Sequence, residues 1–184
     1  MKLTIPNFLS LLRMGLIPLF IIAVIDGELR RASFIFLIAG LTDALDGFIA
    51  RFWNQQSLLG TYLDPIADKL LLTSAYVALS FPHLNQGAPI PLWVTVLVIA
   101  RDVLLVAVGL ILYLAAGVRK FPPTLLSKIT TVFQVSGVVV VLISASFPRL
   151  ELFADWILIA VAGLTVASGL DYVYRANRLQ QQTV

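Results

Sequence analysis

The sequence predicts an all-α fold: an integral membrane bundle of six transmembrane helices, forming a single domain over residues 1–184. Three observations carry this. Of the 184 residues 59% are hydrophobic and 12% are charged, against about 25% charged in an ordinary soluble domain. The mean hydropathy is +0.95. Apolar runs of the length that crosses a bilayer, about 20 residues, recur at 7–26, 31–53, 60–81, 89–117, 122–147 and 150–177. The breaks between them hold turn residues or charge: DGELRR, WNQQS, FPHLNQGAPIP, GVRKFPP and FPRLE. There is no cysteine, which excludes disulfides, thiolate metal sites and a cysteine nucleophile. The net charge of +3 reads as loop asymmetry of a membrane protein and not as nucleic-acid binding.

Segment 1 opens MKLTIPNFLSLLRM. Lys2 beside Leu3, Ile5, Phe8 and Leu9 suits a short interfacial helix in the headgroup zone, and equally a frayed end. No small-residue cleavage site follows, so a removable signal peptide is not expected. Segments 2 and 3 carry acids, treated below. Segment 4 holds Arg101 and Asp102, segment 5 holds Lys128, and segment 6 ends with Asp171 and Arg175 at i, i+4, a pairing distance. Lys2, Arg13, Arg51, Arg119, Lys120, Lys128, Arg175 and Arg178 fall at one set of helix ends. Arg30, Arg31 and Arg149 fall at the other. The positive-inside rule then puts both termini on the cytoplasmic side of the cell's inner membrane. Trp53, Trp93 and Trp156 lie near span ends, as interfacial belts predict. His83, the sole histidine, sits in an outer loop and reads as incidental.

The functional signal is the stretch TDALDGFIARFWNQQSLLGTYLDPIADK at 42–69. Asp43, Asp46 and Ala50 share one face of segment 2 at i, i+3, i+7. Gly60, Asp64 and Asp68 share one face of segment 3 at i, i+4, i+8. A short polar turn joins the two segments, which predicts an antiparallel hairpin whose acidic faces meet. Each charge in a spanning segment costs at least ~2.5 kcal/mol, and converging carboxylates repel unless protonated, hydrated or neutralised. Four such residues therefore point to function. All-oxygen ligation favours hard cations, Mg²⁺ or Mn²⁺ first and Ca²⁺ next. Two such ions about 3.5–4 Å apart form the usual clamp for phosphoryl-type displacement. Gly47, Ala50 and Gly60 allow close approach of a backbone or ligand, and Arg51 can pair with an acid or a phosphate. Taken singly, these residues also fit helix packing and headgroup anchoring.

The stretch reads D-x2-D-G-x2-A-R-x8-G-x3-D-x3-D without departure, through Asp43, Asp46, Gly47, Ala50, Arg51, Gly60, Asp64 and Asp68. It resembles the signature of the CDP-alcohol phosphotransferase family, and the six-span organisation extends the resemblance over essentially the whole chain. The resemblance implies transfer of a substituted phosphate from a CDP-linked donor to an alcohol, with release of CMP. It implies a site for two divalent ions, Mg²⁺ or Mn²⁺, and a homodimer. It also implies that Asp43, Asp46 and Asp64 are metal ligands, and that Asp68 is both the general base and a ligand of the second ion. Gly47, Ala50, Arg51 and Gly60 then form the CDP-binding surface.

The opening IPNFLSLLRMGLIP resembles the phosphatidylglycerophosphate synthase branch, with Ser10 in place of that branch's threonine. Asn7, Ser10 and Arg13 share a helical face and join the CDP-binding set, with capping and headgroup anchoring as the plainer roles. WNQQSLLGTYLDPIADKLL and IARD also resemble this branch. The implied reaction uses CDP-diacylglycerol as donor and glycerol 3-phosphate as acceptor, with Lys128 and Arg101 as acceptor-phosphate candidates. Snorkelling of Lys128 and a buried Arg101–Asp102 ion pair are the structural readings. Lys69 projects off the acidic face and reads as an ion partner. TLLSKITTVFQ, at 124–134, also resembles cardiolipin synthases of the same family, whose acceptor is phosphatidylglycerol. An alternative of another class is a divalent-cation or proton transporter, since intramembrane acids mark such pathways too. An inactive scaffold relative is a third.

Overall fold

The computed structural model describes the backbone over residues 5–52, 58–81, 89–116, 124–145 and 147–182. Six helices follow one another: α1 (Ile5–Ile25), α2 (Leu29–Phe52), α3 (Leu58–Ser80), α4 (Leu92–Ala116), α5 (Leu125–Ser144) and α6 (Glu151–Gln182), with one 3₁₀ turn at Pro148–Leu150 before the last. No strand occurs among the described residues. Among the described residues four helices, α1, α4, α5 and α6, are long and apolar enough to cross a membrane. Helices α2 and α3 run to 24 and 23 residues, about 36 and 35 Å at the helical rise. Their charged residues interrupt the apolar run, so these two are long enough to span but not uniformly apolar. Large apolar side chains such as Phe34, Val106, Leu114, Leu125 and Leu170 face outwards, the pattern of helices packed in lipid.

Local chemistry sets the helix ends. After α1 the Glu28 N–H donates to Ala23 O at 2.9 Å and the Gly27 N–H to Val24 O at 3.1 Å. This is a Schellman stop, and it needs the left-handed φ of +72° that Gly27 adopts. Helix α4 begins after Pro91, because the residue before a proline resists the helical region. Helix α5 begins after Pro122 and Pro123, where Thr124 caps it by accepting the Ser127 N–H at 3.1 Å.

The core is built on short connections. Phe20 of α1 and Phe36 of α2 meet with ring centroids 5.8 Å apart, and Ala23, Val24, Ala39, Ala75, Leu79 and Val138 pack around them with little or no exposure. Without a hydrophobic drive between helices in lipid, hydroxyl bonds tie neighbours together. Ser33 Oγ reaches Leu142 O at 3.2 Å between α2 and α5. Tyr76 Oη donates to Gln134 O at 3.1 Å between α3 and α5. Thr130 Oγ1 donates to Leu164 O at 3.2 Å between α5 and α6. Ser80 and Thr95 hydroxyls bond across α3 and α4.

The expected α2–α3 hairpin turns on residues 44–62, whose side chains lie outside the described residues. Helix α1 packs against both, and over the described residues the direct α2–α3 contact is slight at most. The α1 face of Phe20, Ala23 and Val24 is buried in the core.

Candidate active site

At the end of the bundle where α1 starts, that intervening helix inserts two polar side chains among the acids. Ser10 and Arg13, one turn apart, are both fully buried. The Ser10 hydroxyl bonds Asp64 Oδ1. Arg13 donates from Nη2 to Asp43 Oδ1 at 3.0 Å and from Nη1 to Asp68 Oδ1. One guanidinium thus bridges a carboxylate of α2 and one of α3, the forked geometry for which arginine suits carboxylates better than lysine. The carboxylates remain open: the Asp43 and Asp68 side chains are 46% and 47% exposed, against 0% for Arg13. Pro65 lies inside α3 between the two acids of that helix. It removes one helical hydrogen bond there.

Of these, Arg13, Asp43, Pro65 and Asp68 line a cavity of about 390 Å³ between α1, α2, α3 and α5, with the half-exposed carboxylates at its mouth. Arg13, Asp43, Asp68, Lys69 and Thr131 supply its polar end, and Phe36, Ala39, Leu71, Leu72 and Val135 its apolar wall. A polar mouth with an apolar wall is shaped for an amphiphile: a charged head at the carboxylates and a chain along the helices.

Sequence-predicted residues divide accordingly. Ser10, Arg13, Asp43, Asp64 and Asp68 come together. The side chains of Asn7, Asp46, Gly47, Ala50, Arg51 and Gly60 lie outside the described residues, as do Trp53, His83, Arg119 and Lys120. Lys128 is exposed on α5, one turn before the cavity residue Thr131. Arg101 is 5% exposed and is absent from the cavity wall. It donates to Ser168 Oγ at 2.8 Å, to Ser127 Oγ at 2.5 Å and to Asp102 Oδ1 at 2.9 Å. Sequence reasoning missed Ser127 and Ser168 as its partners, since single serines in apolar helices carry no pattern. Lys69, read as an ion partner, pairs with Asp102 Oδ2 at 2.6 Å; it also lines the cavity beside Asp68, which sequence reasoning missed. The Asp171–Arg175 pair forms at 3.1 Å.

The donor set fits a hard cation: oxygen ligands only, from carboxylates that open onto one cavity. Among the described residues no three acids stand close enough to hold an ion as they are, and Asp46, the fourth acid, is not among them.

Comparison with known proteins gives the family. The profile of the CDP-alcohol phosphatidyltransferase family matches residues 3–167. A human protein named cardiolipin synthase (CMP-forming) is 36% identical over 199 residues, covering 97% of this chain and 63% of that protein. A Mycobacterium tuberculosis protein named probable phosphatidylglycerophosphate synthase is 34% identical over 180 residues, covering 94% of this chain and 81% of that protein. A Haemophilus influenzae protein named CDP-diacylglycerol–glycerol-3-phosphate 3-phosphatidyltransferase is 39% identical over 113 residues, covering 58% of each. The chain spans 63% or less of the length of the human, rat and Drosophila cardiolipin synthases that it matches. With the profile running through the acid-bearing helices and most of the bundle, the chain belongs to the CDP-alcohol phosphatidyltransferase family.

Proposed function

We propose that the chain is a phosphatidyltransferase of phospholipid biosynthesis that moves a phosphatidyl group from CDP-diacylglycerol to the hydroxyl of a glycerol phosphate. The observation that carries this is the cavity itself, with carboxylates and Arg13 at its mouth and Phe36, Leu71, Leu72 and Val135 on its wall. All six helices span the membrane, with both termini and the cavity mouth on the cytoplasmic side, and the protein acts as a homodimer. The lipid chain of the donor lies along the apolar wall while its nucleotide head reaches water. Asn7, Ser10, Arg13, Gly47, Ala50, Arg51 and Gly60 receive the CDP moiety.

Asp43, Asp46, Asp64 and Asp68 would hold two Mg²⁺ or Mn²⁺ ions. When bound, these ions offset charge on the diphosphate and on departing CMP. Asp68 takes the proton from the acceptor hydroxyl as its oxygen attacks the lipid-side phosphorus. The new P–O bond forms, the bond to the CMP oxygen breaks, and CMP leaves with that electron pair. Ser10 orients Asp64, and Arg13 holds Asp43 and Asp68 apart from one another's repulsion.

Glycerol 3-phosphate is the first acceptor, giving phosphatidylglycerol phosphate. The opening IPNFLSLLR and the Mycobacterium and Haemophilus relatives support it. Lys128, exposed on α5 one turn before Thr131, is a candidate to meet its phosphate. A second reading, phosphatidylglycerol as acceptor, is favoured by the near-complete coverage of this chain by the human cardiolipin synthase match. Mass analysis of the lipid product separates the two. With both acceptors offered, the first reading expects a phosphomonoester lipid with two acyl chains. A four-chain product alone would replace it with the second. A transporter instead distributes its acids across the membrane, whereas here Asp43, Asp64 and Asp68 gather around Ser10 and Arg13.

A further inference from the structure

Lys69 is not absorbed by the reaction as drawn so far, and neither is the buried pair Arg101–Asp102. These three form one chain of contacts that ends in the cavity. Ser127 of α5 and Ser168 of α6 fix the Arg101 guanidinium on α4, with Nη2 at 2.5 and 2.8 Å from their hydroxyl oxygens. Arg101 Nη1 binds Asp102 Oδ1 at 2.9 Å. Asp102 Oδ2 accepts from Lys69 Nζ at 2.6 Å. Arg101 and Asp102 are 4% and 16% exposed in their side chains, while Lys69 is 48% exposed and lines the cavity next to Asp68. The anchor is therefore enclosed and its far end is open.

Charge gives this arrangement a direction. Two cations share the one carboxylate of Asp102, so the corner around Lys69 is net positive. At the other side of the mouth, one arginine serves Asp43 and Asp68, so that part is net negative and suited to cations. An ammonium has three donors. Asp102 uses one of those on Lys69, and the others can meet the oxygens of an anion. A lysine held only for stability gains little from a half-exposed ion pair, and it would not need a carboxylate anchored through α4, α5 and α6.

We propose that Lys69 contacts the phosphate of the acceptor, and that Asp102 and Arg101 are positioning residues that hold its ammonium at the cavity mouth. This rests on the phosphatidyltransferase reading, in which the acceptor hydroxyl lies against Asp68, the residue next to Lys69. The chemistry recognised is a phosphate on glycerol, a monoester in glycerol 3-phosphate or a diester in phosphatidylglycerol.

The test uses the full chain in lipid nanodiscs with CDP-diacylglycerol and Mn²⁺, and offers each acceptor separately. Lys69→Met is expected to raise the acceptor KM about ten- to hundredfold, the loss of one charge-assisted hydrogen bond, with the KM for CDP-diacylglycerol little changed. Lys69→Arg should recover most of the loss. Asp102→Asn should shift the acceptor KM the same way by less. An unchanged acceptor KM in Lys69→Met, or an equal rise in both KM values, overturns the proposal. If Lys69→Met does not fold, unchanged acceptor KM in both Lys69→Arg and Asp102→Asn overturns it. Whichever acceptor turns over identifies the phosphate. Calorimetric titration with glycerol 3-phosphate adds a readout independent of turnover. Wild type that binds glycerol 3-phosphate yet releases no CMP sinks the transferase reading, while loss of that binding in Lys69→Met still supports the contact. Wild type that neither binds nor turns over any acceptor sinks both.

Discussion

Asp68→Asn is expected to abolish turnover while leaving the protein folded and able to bind CDP-lipid. The substitution keeps the size of the side chain and removes the proton acceptor. General-base catalysis is worth about 10²- to 10⁴-fold, and loss of a carboxylate at the cation site adds to that. Arg13 would keep its bond to Asp43 at 3.0 Å, so the packing of α1 between α2 and α3 has little reason to change. Steady-state CMP release and CDP-lipid binding, measured on the same preparation, check this. A rate equal to wild type would remove Asp68 as the base.

Arg101→Leu is expected to give the largest loss of stability among the site's neighbours. The arginine is 5% exposed and holds Asp102, Ser127 and Ser168 at once. Removing one partner of a buried pair costs about 3–5 kcal/mol, because the other charge stays behind unpaired. Asp102 keeps Lys69 as a partner, and hydrogen bonds between membrane helices average under 1 kcal/mol, so the lower end applies. A fall in the thermal midpoint of roughly 10 °C is expected for a chain of this size. Arg101→Lys, which keeps the charge but not the fork to both serines, should fall between. A midpoint equal to wild type for Arg101→Leu would show that the network does not hold α4 to α5 and α6.

Much of this architecture is legible in the sequence because membranes impose a simple rule. A helix must satisfy its own backbone and must be about 20 residues long. The runs at 7–26 and 31–53 became α1 and α2 almost unchanged, since the DG step at 26–27 stops the first helix through Gly27. Pro91 delays α4 to Leu92, and the Thr124 cap sets the start of α5 at Leu125. Helix α6 runs to Gln182, beyond the apolar run, because a polar helix end needs no lipid to stay helical.

The site was legible in its acids and illegible in its neighbours. Asp43, Asp64 and Asp68 announce themselves by their cost in an apolar helix. That α1 packs against both acid-bearing helices is a packing matter, and its buried face of Phe20, Ala23 and Val24 looks like any other apolar surface in the sequence. Arg13 could be grouped with Ser10 on one face, but not seen to bridge two acids. Lys69 was legible as an ion partner, as its bond to Asp102 shows; its place in the cavity wall was hidden by a helical projection that ignores the reach of a four-carbon stem.

CMP release from CDP-diacylglycerol by the purified chain, with and without Mg²⁺ or Mn²⁺ and with glycerol 3-phosphate or phosphatidylglycerol added, tests the central claim most directly. The account predicts CMP release that requires both a divalent ion and an acceptor, and that disappears on chelation. Folded protein that releases no CMP with any acceptor or ion would contradict it.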